Sequence, residues 1–189
     1  MKSLATAGYM LALFVLFSIR AEDAKPKDGM PPMPKPQKEH EWFKQLEGEW
    51  TTESEMFMGP DQPPVKSKGA ETVRLIGGFW AQCENKGEVM GAPFTGILTV
   101  GYDAEKKEYV ATWIDSISSK MWQYKTTLDT AGKALIFEIE GPCPMEPAKI
   151  VKIKETLEIK DKDNKVFTSM MEIDGKWVTA LTVKYTRKK

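Results

Sequence analysis

From Gly48 onward, apolar and polar residues alternate with a period of two, the spacing of a strand that buries one face. The alternating runs cover residues 49–58, 66–76, 79–89, 94–102, 108–116, 119–128, 134–140, 149–160, 165–173 and 176–187. Short connections separate them: Gly77-Gly78, Asp103-Ala104-Glu105-Lys106, Asp129-Thr130-Ala131-Gly132, Asp161-Lys162-Asp163-Asn164 and Asp174-Gly175. Gly, Asp and Asn accept the backbone angles of tight hairpins, so each connection reads as a turn between antiparallel strands. About ten hairpin-linked strands predict an all-β, up-and-down meander. Closure into a single antiparallel β-barrel removes its exposed edges. A parallel βαβ plan is disfavoured because no second long helical pattern is present. One short N-terminal helix is expected over residues 39–47, where Trp42, Phe43 and Leu46 share a face and Gly48 ends the run.

The first 38 residues stand apart from this rhythm. Lys2 is followed by an uncharged, mostly apolar stretch from Leu4 to Ile19, then by the small residues Ala21 and Ala24. That order reads as a secretory signal peptide over residues 1–21. The apolar run is short for a bilayer span, and an uncleaved N-terminal anchor is the alternative. Residues 22–38 carry Pro26, Pro31, Pro32, Pro34 and Pro36 among alternating charges. Each proline removes a donor and fixes φ, so this segment reads as a Pro-rich, disordered tether ahead of a barrel domain over 39–189. The expected location is therefore periplasmic or secreted.

Two sets of residues resemble known families. Gly48-Glu49-Trp50 enters the first strand as Gly-x-Trp, as in lipocalins and fatty-acid-binding proteins. The resemblance implies that Trp50 closes the barrel bottom and that Arg187, near the end of the last strand, packs over it. The second set is Met58-Gly59-Pro60, Gly77-Gly78-Phe79, the run Gly87 to Gly96, Gly101-Tyr102-Asp103, the run Lys107 to Asp115, and Tyr185-Thr186-Arg187-Lys188. Their order is similar to that of a bacterial family catalogued as domain of unknown function 1579, over about residues 40–189. It implies a calycin-like barrel and no particular activity. Gln82-Cys83-Glu84-Asn85 departs from the family, which more often has an aromatic after the Glu.

Composition narrows the chemistry. Cleavage after residue 21 would remove Lys2 and Arg20 from 27 basic residues and none from 27 acidic ones, leaving a net charge of −2. A near-neutral chain has no electrostatic reason to bind nucleic acid or an anionic bilayer. The single histidine, His40, lies in the expected helix, where it reads as a partly exposed structural residue, and this disfavours Ser-His-Asp and Cys-His catalysis. One His and two distant Cys do not make a metal site, and no phosphate-binding loop or other cofactor motif is present. Asp161-x-Asp163-Asn164 lacks the remaining ligands of a calcium loop. Cys83 and Cys143 form a candidate disulfide if the chain is exported; two unpaired small apolar residues are the alternative.

What remains is a surplus of large apolar side chains, with 6 Trp and 11 Met. In a small barrel such residues either fill the interior or line a cavity. The expected cavity residues are Met56, Glu84, Trp113, Asp115, Tyr124 and Glu155. Glu155 falls on the face of Val151, Ile153, Leu157 and Ile159, and its expected partners by face are Tyr124, Thr126 and Thr168. Three functions stay open: a binding protein for a small, partly apolar molecule with the Met56–Pro64 connection as a lid; a cofactor-independent isomerase or lyase using a buried carboxylate; and an interaction module with a filled barrel.

Overall fold

The computed structural model describes residues 32–59, 62–144 and 146–189. The expected signal peptide, and the tether up to residue 31, lie outside the described residues. The compact unit runs from Lys35 to Lys189. It begins with a 3₁₀ helix, Lys38–Leu46, followed by ten strands. These are β1 (Gly48–Met56), β2 (Val65–Ile76), β3 (Trp80–Val89), β4 (Ala92–Asp103), β5 (Glu108–Asp115), β6 (Trp122–Leu128), β7 (Ala134–Pro142), β8 (Ile150–Asp161), β9 (Asn164–Ile173) and β10 (Lys176–Arg187).

Each strand pairs antiparallel with its neighbour in sequence, and β10 returns to β1 to close the barrel. The closing register sets Trp50 opposite Arg187 and Met56 opposite Leu181. Two of the tight turns use positive φ at both central positions. At β9–β10 both central residues, Asp174 and Gly175, are left-handed, with φ of 50° and 76°. Met90 and Gly91 repeat this between β3 and β4, with φ of 52° and 80°. Two positive φ values in a two-residue loop match the right-handed twist of the strands.

The core sits at one end of the barrel. Phe43, Leu46, Trp50, Ala81, Cys83, Val100 and Leu135 are all fully buried there. The helix lies across this end as a plug. Its three-residue turn aligns His40, Phe43 and Leu46 along one side, and all three are buried. His40 is thus not partly exposed as expected: only 3% of it is accessible. Its Nδ1 accepts a hydrogen bond from the Gln37 amide at 2.9 Å, and its ring packs edge-on against Phe79 and Tyr102. At the other side, Trp42 Nε1 donates to the Gly132 carbonyl in the β6–β7 turn at 3.0 Å.

Trp50 and Arg187 lock the plug to the wall. Trp50 Nε1 donates to the Leu46 carbonyl at 2.9 Å, and the Arg187 guanidinium lies 4.0 Å from the Trp50 ring centre. Arg187 also donates to the carbonyls of Gln45, Glu47 and Lys162. One side chain therefore ties the helix end, the β8–β9 turn and the first strand together. Gly48 is required beneath it: φ is 122°, and a Cβ there would sit 2.8 Å from Arg187 Nη1.

Candidate functional site

Beyond the plugged end the barrel is hollow. A cavity of about 350 Å³ runs from the core toward the opposite end. Its deep part meets Glu71 and Tyr185, its middle Leu98, Tyr124, Phe137, Glu155 and Phe167, and its outer part Met56, Phe94, Trp113 and Asp115. Large apolar residues stand exposed on the connections and strand ends around the mouth, among them Met58, Met90, Ile117, Met121 and Ile150. The alternation of the strands explains the lining. Every inward position is a side chain pointing at the barrel axis, and the outer ends of β1, β2 and β3 contribute small ones such as Ser54, Ser67 and Gly87, which leaves room.

Glu155 is the polar centre of the wall. It faces inward from β8 and stands opposite Ser169 of β9 in register. Ser169 Oγ donates to Glu155 Oε1 at 3.1 Å, and the Tyr124 phenol adjoins the same carboxyl. Burial raises the Glu155 pKa; the hydrogen bonds from Tyr124 and Ser169 act against that rise. Burial together with the neighbouring Glu155 carboxylate pushes the Tyr124 phenol well above its ordinary range, so it stays a neutral donor. The expected partner Tyr124 is therefore in place. Thr126 is buried, but its hydroxyl has no partner among the described residues. Thr168 belongs to the other face of β9, opposite Thr156, and Ser169 takes the place expected for it.

Nearer the mouth, Trp113 Nε1 donates to Asp115 Oδ2 at 2.8 Å, and Asp115 Oδ1 accepts from the Ile117 amide at 3.0 Å. The Trp113 ring stacks with Phe94, with centroids 6.2 Å apart and planes 24° apart. It lies directly over Gly96, where any Cβ would overlap the indole.

Two expectations fail. Glu84 is not in the cavity. Its neighbour Cys83 is fully buried on the inner face, so Glu84 points outward and pairs with Lys86 at 2.9 Å. Asn85 lines the cavity instead. The Cys83–Cys143 disulfide is not formed; both thiols are buried and free. Cys83 lies in the wall of β3 and Cys143 just past β7, four strands away around the barrel. Burial, with Glu71 nearby, holds the Cys83 thiol protonated.

One feature of the cavity floor was hidden from sequence reading. Lys165 is fully buried and forms an ion pair with Glu71, itself 4% exposed. The Lys165 ammonium lies 4.4 Å from the Trp50 ring centre and 4.7 Å from that of Tyr185. The available signal was alternation: Lys165, Phe167 and Ser169 share one face of β9, as Glu71 and Val73 do on β2. Among the described residues, no three His, Cys, Asp or Glu side chains converge as a metal site, and no helix is long and apolar enough to cross a membrane.

Comparison with known proteins places this barrel. A family model described as "Protein of unknown function (DUF1579)" matches residues 35–187. No curated protein matches the chain. Among solved structures, Rv2717c from M. tuberculosis is similar at 12% identity and a TM-score of 0.56, covering 81% of this chain and 99% of that one. The S-type phycobiliprotein lyase CPES from Guillardia theta is similar at 12% identity and a TM-score of 0.53, covering 82% and 99%. At these identities the likeness is one of fold.

Proposed function

The chain belongs to the DUF1579 family of proteins of unknown function, and on that premise we propose, from its site, that it binds a small, partly apolar molecule inside the barrel. The observation that carries this reading is the cavity itself: about 350 Å³, reaching inward to Glu71 and Tyr185 and walled largely by aromatic and aliphatic side chains. A pocket of that size with a few convergent polar groups is the usual form of a small-molecule site. Glu155, Tyr124 and Ser169 are those groups, and they would orient the ligand. The cavity argues against a filled barrel serving only as an interaction module. The fold of a phycobiliprotein lyase is a neighbour in architecture and supports the reading only to that extent.

A second reading rests on one specific observation. Glu155 and Tyr124 adjoin each other on the cavity wall, so an isomerase or lyase using the buried Glu155 carboxyl as acid or base, with Tyr124 as its hydrogen-bonding partner, is the alternative. We also propose that the protein is exported, on the order of charged, apolar and small residues over 1–21. The binding reading is tested by titration with an uncharged fluorescent probe such as Nile red. One saturable site is the expected result; no saturable binding would overturn it.

A further inference from the structure

Resting on the reading of the cavity as a binding site, we propose that its ligand is an apolar cation, an amine or related nitrogen base whose charged end sits against Glu155. The charges on the cavity wall are unbalanced. Glu155 stands at mid-depth and Asp115 near the mouth, both facing inward, while Glu88, exposed on β3, adds an acid at the rim. Every basic side chain close to the cavity already has an acidic partner. Lys68 pairs with Glu53 at 3.2 Å and Lys86 with Glu84 at 2.9 Å, both on the outer surface. At the floor, Glu71 and Lys165 neutralise each other. Among the described residues, the interior therefore holds two carboxylates with no basic side chain to balance them.

The surroundings of Glu155 point the same way. Its two partners, Ser169 and Tyr124, are neutral donors, and burial penalises its ionised form. A ligand cation would supply the missing counter-charge in a poorly hydrated site, where such a pair is strongest. The nearby rings favour a cation as well: Tyr124, Phe137, Trp113 and Phe94 all line the cavity that holds Glu155 and Asp115. A carboxylate ligand would meet the opposite, two like charges and no unpaired base. By this count the barrel disfavours fatty acids despite its apolar wall.

The test compares three ligands with one chain length and different heads: n-decylamine, n-decanol and n-decanoate, below their micellar concentrations, displacing Nile red at neutral pH. With the unaltered protein the amine should compete at least tenfold more strongly than the carboxylate. Glu155→Gln should shrink the ratio of amine to alcohol affinity by at least tenfold. Equal or tighter binding of decanoate in the unaltered protein would overturn the proposal without any reliance on a variant. So would a Glu155→Gln protein, shown folded by its melting curve, that kept the full preference for the amine. If Nile red binds but none of the three displaces it, the proposal falls and the cavity reading stands. If the probe itself finds no site, both fall.

Discussion

Lys165→Met offers the sharpest test of how the barrel floor is held. The lysine is fully buried, its ammonium contacts Glu71 and two aromatic faces, and its removal leaves the Glu71 carboxylate at 4% exposure with no counter-ion. Breaking one side of a buried pair costs about 3–5 kcal/mol, because the stranded charge keeps its desolvation penalty. Loss of the cation over Trp50 and Tyr185 adds about 0.5–2 kcal/mol. Together these are a large share of the roughly 5–15 kcal/mol that stabilises a domain of this kind. The double variant Lys165→Met with Glu71→Leu should recover most of the loss, since apolar residues of similar volume replace a buried pair at little or no cost. Urea unfolding followed by tryptophan emission measures the two single variants, Lys165→Met and Glu71→Leu, and the double variant, and the cycle isolates the coupling. The reasoning is refuted if Lys165→Met changes stability by less than about 1 kcal/mol, or if the double variant loses the full sum of the single losses.

Two further outcomes are expected. Glu155 has a raised pKa in the folded protein, so the folded state holds its proton more tightly than the unfolded chain does. Its contribution to stability therefore falls as pH rises from the unfolded Glu value, about 4.3, through the raised one. Glu155→Gln should match the unaltered protein in acid and exceed its stability at neutral pH; urea midpoints across pH showing the opposite trend would contradict the assignment. For export, the intact mass of protein recovered from its host should correspond to a start near residue 22 or 25, and a full-length chain held in the membrane fraction would rule out cleavage.

The fold was legible because both of its ingredients are local. Alternation with period two marks the strands, and Gly77-Gly78 and Asp174-Gly175 mark hairpins whose φ values bear out the turn chemistry. Trp50 and Arg187 were legible through the Gly-x-Trp resemblance, and their stacking is observed. The helix was legible as an element but not in its geometry. At three residues per turn it brings His40 into line with Phe43 and Leu46, a burial that an α-helical period hides.

Site residues were legible where neighbours two apart voted for one face. Glu155, Trp113 and Asp115 followed that rule. Glu84 departs from that rule only in appearance: Ala81 and Cys83 set the inner face of β3, which passes next through Asn85 and leaves Glu84 outside. Thr168 and Ser169 are adjacent and both hydroxylated, and the inner face of β9, which runs through Lys165 and Phe167, takes Ser169 and sets it opposite Glu155. Lys165 and Glu71 escaped because a charge in a strand usually marks the solvent face, and the partner that allows burial lies on a distant strand. Whether the interior was full or hollow depends on how side chains from all ten strands meet, which no single strand records.

The central claim, that the barrel interior is a binding site, is tested most directly by titrating Nile red into the unaltered protein and into Leu98→Trp. Leu98 faces the cavity from β4 beside Trp113, and a larger ring at that position would occupy the space a ligand needs. The account predicts one saturable site in the unaltered protein and at least a tenfold weaker one in a Leu98→Trp protein that still melts cooperatively. Equal binding by the two proteins, or no saturable binding by either, would contradict it.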